Sequence, residues 1–116
     1  MAKDFELIAT GYLYTPWNGT LRELKGEVYH QDEHRSGYYI VPEKNYFKVI
    51  DAHGKVVKKL QCAAHEGEIH NKVVWLRDRD ARKAADILIA YEENQIAKLR
   101  FQIENHERMI DTLRSI

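Results

Sequence analysis

The sequence has only one cysteine, no net charge and no long apolar run, and each of these features excludes some classes of protein. Cys62 has no partner for an internal disulfide bond, which favours a reducing compartment. Eighteen basic and eighteen acidic residues cancel, so no overall field attracts nucleic acid or a membrane. No apolar run approaches the roughly 20 residues that span a bilayer, and the first residues, MAKDFELIATGY, lack the apolar core of a signal peptide. We therefore expect a cytoplasmic protein without a membrane partner.

The last third of the chain, from Asp78 to Ile116, contains neither glycine nor proline. Apolar residues recur along it at steps of three, four and seven, which is typical of a helix that lies against another helix. The predicted seam consists of Ala85, Ile89, Ile96, Leu99, Ile103, His106, Ile110 and Leu113, and Glu92 is a further polar residue within it. Asp78 or Asp80 is the expected N-cap, because a carboxylate there accepts hydrogen bonds from the free amides of the first turn.

The length of this predicted helix argues for a partner. A helix of about 36 residues is about 54 Å long, whereas a compact domain of this size is about 30 Å across. The helix either bends into a hairpin at Asn94 or Asn105 or pairs with a copy of itself. The absence of glycine and proline favours pairing, so we predict a homodimer or higher oligomer. His106 would make that assembly sensitive to mild acid, because a protonated imidazole is costly to bury.

The residues before the helix show strand-like alternation of apolar and polar types. This alternation predicts strands at 4–15, 38–41 and 72–76 and a hairpin over 45–63. The segment 20–30 is ambiguous, because its leucines have helical spacing whereas its end resembles a strand; we expect a short strand or turn followed by a strand.

These patterns together predict one domain with an α+β fold. We expect an antiparallel β-sheet of about four to six strands in residues 1–77, followed by one long C-terminal oligomerisation helix in residues 78–116.

Aromatic residues on the predicted strands and arginines at the predicted helix start suggest a ligand site. Aromatic faces stack bases, guanidinium groups bind phosphate, and a helix N-terminus favours anions. The candidate residues are Trp17, Tyr39, Trp75, Arg77, Arg79 and Arg82. No glycine-rich phosphate loop is present, so the common nucleoside-triphosphate folds are excluded. Binding of a small nucleotide or of nucleic acid is therefore an alternative function.

Histidines form two local clusters that could carry metal chemistry. His30 and His34 form one cluster, and Cys62, His65 and His70 form the other. Imidazole and thiolate are zinc ligands, and a cysteine beside a histidine could act as a nucleophile. The spacing matches no zinc-finger pattern, however, and solvated loop histidines explain it as well. We expect no metal or cofactor, and a metal-dependent enzyme is the second alternative.

The segment KVVWLRDRDARKAADILIAYEENQIAKLRFQIENHERMI resembles the C-terminal halves of short accessory proteins encoded by phages and prophages. In these a strand with an aromatic residue leads into "RD" and a long charged helix. The resemblance implies a non-enzymatic protein that binds a host component. Some proteins with this layout are anti-defence proteins, which block an immune effector or sequester a nucleotide signal. No binding residues can be transferred from the resemblance.

Non-catalytic binding is the function that these patterns favour. The expected partners are a second copy of the chain and a host protein, encountered in the host cytoplasm if the gene is phage-borne.

Overall fold

A computed structural model describes residues 5–116 and confirms the predicted fold class. It contains a six-stranded antiparallel sheet followed by one long C-terminal helix. The strands are β1 (Phe5–Trp17), β2 (Thr20–Gln31), β3 (His34–Ser36), β4 (Tyr39–Val41), β5 (Lys44–Ile50), β6 (Val56–Cys62), β7 (Ile69–His70) and β8 (Val73–Leu76), and the helix α1 is Ala81–Arg114. The order in the sheet is β6-β5-β2-β1-β8-β7, and β3 pairs with β4 in a separate ribbon. The predicted strand at 4–15 begins one residue before the described range.

The strands β1 and β2 form one long hairpin. They are joined by Asn18 and Gly19, which both have positive φ, 48° and 75°, as a two-residue type I′ turn requires. The segment 20–30 is therefore a single strand, without the turn that its leucines suggested. Cross-strand pairing along the whole of β1 overrides their helical spacing.

Two predicted connections contain short strands. The polar segment 31–37 includes β3, which turns back at Gly37 and pairs with β4. The polar stretch around Gly67 includes β7, which pairs with β8. The predicted hairpin over 45–63 is confirmed as β5 and β6, and the predicted strand at 72–76 is confirmed as β8.

The sheet curls around an apolar interior, and two glycines make the curl possible. Gly11 on β1 pairs with Gly26 on β2. A Cβ on Gly11 would collide with the carbonyl oxygen of Leu76, and a Cβ on Gly26 would collide with that of Lys48. The neighbouring strands therefore approach more closely than any side chain allows. The interior is filled by Leu13, Val28, Phe47, Val49, Cys62 and Trp75.

The other face of β1 and β8 is covered by the beginning of α1. Asp80 is the N-cap, and its carboxylate accepts a hydrogen bond from the amide of Lys83 at 3.0 Å. Ala84 and Leu88 are buried against the sheet. The helix then continues without a break to Arg114, so the alternative of a hairpin at Asn94 or Asn105 is wrong. Because the helix has 34 residues, its distal half extends beyond the sheet.

Candidate functional site

The distal part of α1 carries an exposed row of isoleucines. Ile89, Ile96, Ile103 and Ile110 follow one another at intervals of seven residues, and each is between 46% and 57% exposed. Leu99 and Leu113 lie beside this row and are 57% and 58% exposed. Branched apolar side chains rarely lie in a long exposed row unless another surface covers them. These residues are the candidate assembly seam.

The heptad positions of the seam suit a two-stranded coiled coil. With the four isoleucines at position a, position d holds Ala85, Glu92, Leu99, His106 and Leu113. Isoleucine at a with leucine at d favours two strands in parallel coiled coils. The polar Glu92 and His106 lower the stability of such a seam and limit the registers in which two copies can pair.

The seam and the sheet-facing side of α1 are different faces of the helix. Ala84 and Leu88 face the sheet, whereas the seam lies roughly a quarter turn around the helix axis at about 100° per residue. Ala85 is half-buried at the point where the two faces begin to diverge. One face of α1 can therefore pack against the sheet while the other packs against a second helix.

The arginines predicted as ligand contacts are already paired with carboxylates. The pairs are Arg77 with Glu66 at 2.9 Å, Arg79 with Glu23 at 2.7 Å and Arg82 with Asp86 at 2.8 Å. The main-chain amide of Arg77 donates to Glu66 at 2.6 Å, and this bond together with the guanidinium lowers the pKa of Glu66. A phosphate group would have to compete with these carboxylates for the guanidinium groups. Nucleotide binding at the helix start therefore stays a prediction without added support.

The three predicted aromatic residues lie apart from one another. Trp75 is buried, and its indole N–H donates to the carbonyl of Ala63 at 3.0 Å, so its faces are not available to a ligand. Trp17 is exposed at the turn that joins β1 to β2. Tyr39 is exposed on the ribbon that follows the opposite end of β2. The structure therefore does not gather Trp17, Tyr39 and Trp75 into one pocket.

Histidines from both predicted clusters line one open cleft of about 470 Å³. His30, Cys62, His65 and His70 contribute to its wall, whereas His34 lies on β3, with its ring near the carbonyl of Asp32. Within residues 5–116, no three side chains of the metal-binding types are grouped closely enough to hold an ion.

Polar contacts in the cleft engage both ring nitrogens of His30. The amide nitrogen of Asn45 donates to the carbonyl of Ala64 at 3.2 Å, which leaves its oxygen to accept from His30 Nδ1 at 2.7 Å. His30 Nε2 lies 3.1 Å from the carboxylate of Asp32. The bond to Asn45, and then the nearby carboxylates, raise the pKa of His30 and favour the imidazolium, which is not a metal ligand.

The same cleft contains the only cysteine of the chain. Cys62 is buried, and burial raises the pKa of its thiol to about 11. A catalytic cysteine needs a lowered pKa, so this thiol is a poor nucleophile near neutral pH.

A second surface, not among the predicted sites, lies on the outer side of the sheet. Phe5, Tyr29 and Tyr46 surround the ammonium groups of Lys48 and Lys59, and we call these five residues the lysine–aromatic patch. The sequence signal for it is the alternation of Tyr46, Phe47, Lys48 and Val49 along β5. Phe47 and Val49 are buried in the core, whereas Tyr46 and Lys48 point to the outer side of the sheet.

Comparison with protein-family models, with curated proteins and with solved structures found no match to this chain. In the part of the chain that the structure describes, no helix has both the length and the apolar character of a membrane span.

Proposed function

We propose that this chain is a non-catalytic binding protein that works as a homodimer joined through the seam of α1. The observation that carries the proposal is the row of four half-exposed isoleucines at seven-residue intervals. The buried, weakly acidic thiol of Cys62 and the engaged His30 support a role without catalysis.

The estimated free energies are consistent with a dimer that depends on the seam of α1 and on the sheet that holds the start of the helix. Fully burying an isoleucine or leucine contributes about 1.5–3 kcal/mol, so each half-exposed seam residue contributes about 1 kcal/mol. Six such residues in each copy give on the order of 10 kcal/mol. This is similar to the 4–15 kcal/mol that association costs. Packing of the first turns of α1 on the sheet orders the helix in advance and lowers that cost.

The partner that we propose is a host protein in the cytoplasm of a bacterium, because residues 72–110 resemble the C-terminal halves of phage accessory proteins. A dimer would present two copies of the same sheet surface to such a partner. Two linked copies raise the effective affinity for a repeated or oligomeric target without any new contact.

Light scattering on the eluting protein tests the dimer. We expect twice the chain mass of 13.7 kDa for the wild type and the chain mass for the double variant Ile96→Asp, Ile103→Asp. The matched control is Phe101→Asp, which removes an equally exposed apolar side chain from nearly the opposite side of α1 and should remain a dimer. A wild type at monomer mass would refute the dimer.

Capture from bacterial lysate tests the partner. The wild type, the Ile96→Asp, Ile103→Asp variant and Phe101→Asp serve as baits, and each captured protein is then purified and titrated against the wild type. A single protein that binds wild type and Phe101→Asp more tightly than the double variant supports the proposal. Failure of every purified candidate to bind directly would contradict it.

A further inference from the structure

The lysine–aromatic patch contains two cations that face each other across neighbouring strands. Lys48 on β5 and Lys59 on β6 are direct partners in the antiparallel register. Like charges in this position destabilise a sheet. Here the aromatic rings offset the repulsion, because Lys48 Nζ lies 4.2 Å from the ring centre of Tyr29 and Lys59 Nζ lies 4.7 Å from that of Tyr46. Phe5 lies between them, 5.5 Å from Lys48 Nζ and 5.7 Å from Lys59 Nζ.

Neither lysine is neutralised by an ion pair with another described residue at 4 Å or less. Glu27 is the cross-strand partner of Lys48, but its carboxylate accepts a hydrogen bond from the hydroxyl of Tyr29 at 3.0 Å. The two ammonium groups therefore outnumber the one neighbouring carboxylate, that of Glu27, and the patch keeps a net positive charge that an external anion can contact. The surrounding segment is basic as well, since residues 44–83 carry ten lysines and arginines against five acidic residues.

We propose that the lysine–aromatic patch binds single-stranded nucleic acid. On binding, the ammonium groups of Lys48 and Lys59 move from the ring faces to phosphate oxygens, and bases take their places on the rings. Tyr29 and Tyr46, which are direct partners in the antiparallel register of β2 and β5, offer two neighbouring faces for this stacking. Sheet surfaces that present aromatic residues bind unpaired bases in the same way, because the bases of a single strand can rotate outward and stack on the aromatic rings.

The chemistry favours nucleic acid over an acidic peptide. A peptide carboxylate would pair with the two ammonium groups but would offer no flat surface to the rings of Tyr29 and Tyr46. A duplex offers phosphates, but its bases are stacked on one another and cannot reach the rings. This site is separate from the seam of α1, so the proposal does not depend on the dimer.

Fluorescence anisotropy with a labelled single strand of about 20 nucleotides tests the proposal. The variant Lys48→Gln, Lys59→Gln should bind at least about tenfold more weakly than the wild type. The slope of log K against log salt concentration should become less negative by about 1.4 in this variant, because two phosphate contacts are lost. Tyr46→Leu should also weaken binding, and Tyr38→Leu, which replaces a fully exposed tyrosine on the ribbon, should not.

The matched charge control is Lys55→Gln, Lys58→Gln. It removes the same charge from the same hairpin, but Lys55 lies in the turn and Lys58 points to the opposite side of β6 from Lys59. We expect less than a twofold change. Equal losses in both double variants would show binding by charge alone and overturn the proposal. Equal competition by polyglutamate or by duplex, or no binding by the wild type at about 50 mM salt, would overturn it as well.

Discussion

The hydroxyl of Tyr14 joins the sheet to the start of α1. It accepts a hydrogen bond from the backbone amide of Asp80 at 2.9 Å and donates one to Glu23 at 2.7 Å. The other oxygen of Glu23 accepts from Arg79 at 2.7 Å. Two strands and the N-cap of the helix are therefore fixed by one group, which sets the direction in which α1 leaves the sheet.

Replacing Tyr14 with phenylalanine should destabilise the protein by about 1–3 kcal/mol, because a part-buried hydrogen-bond network loses its central member. Urea unfolding followed by circular dichroism measures the change. The control Tyr12→Phe lies two residues earlier on the same side of β1 and should change the free energy of unfolding by less than about 0.5 kcal/mol. Equal effects of the two variants would show that the network does not contribute.

The same residue predicts a loss of stability at alkaline pH. Burial, and then the hydrogen bond to Glu23, raise the pKa of Tyr14 from 10.0 to about 12. Since the folded-state pKa exceeds the unfolded one, this contribution to stability is complete below pH 10 and disappears as the pH rises towards 12. Urea midpoints measured from pH 9 to 11 should therefore fall more steeply for the wild type than for Tyr14→Phe. Parallel curves would contradict this reading.

The helix N-cap gives a third prediction. Asp80→Ala should cost about 1 kcal/mol, because the amide of Lys83 loses its acceptor at the helix start. Asp78→Ala removes the same side chain two residues earlier, outside the cap, and should have a smaller effect. Thermal unfolding of the two variants decides between them, and a larger loss for Asp78→Ala would place the cap there.

The sequence predicted local features well and long-range contacts poorly. The helix was predictable because the absence of glycine and proline from its 34 residues is a local property. The pairing of Glu23 with Arg79 was not, since 56 positions separate them and only the fold brings them together. Composition also could not show that Trp75 points into the interior, whereas Tyr46 points outward. That difference depends on register, and one residue of slippage reverses it.

The paired glycines give a fourth prediction. Gly26→Ala should destabilise the fold strongly, because the new Cβ would collide with the carbonyl oxygen of Lys48 and lie 2.7 Å from Phe47 Cε1. Since a backbone oxygen cannot move aside without breaking the sheet, we expect a loss of about 2–4 kcal/mol. Lys25→Ala, on the exposed neighbouring residue, is the control and should change stability little. Equal urea midpoints for the two variants would show that β5 does not approach as closely as the structure indicates.

Glu92, one of the two polar residues within the seam, gives the last prediction. Glu92 occupies the heptad position shared by Leu99 and Leu113, so the proposed dimer would place its carboxylate beside apolar side chains. Burying a charge there costs free energy, and Glu92→Leu should tighten the dimer by about 1–2 kcal/mol, roughly a tenfold lower dissociation constant. Sedimentation equilibrium measures this change. Glu104→Leu makes the same substitution on an exposed position away from the seam and should leave the dissociation constant unchanged. A tighter dimer in both variants would point to general hydrophobic association, and a tighter dimer in Glu104→Leu alone would place the interface on another face of α1.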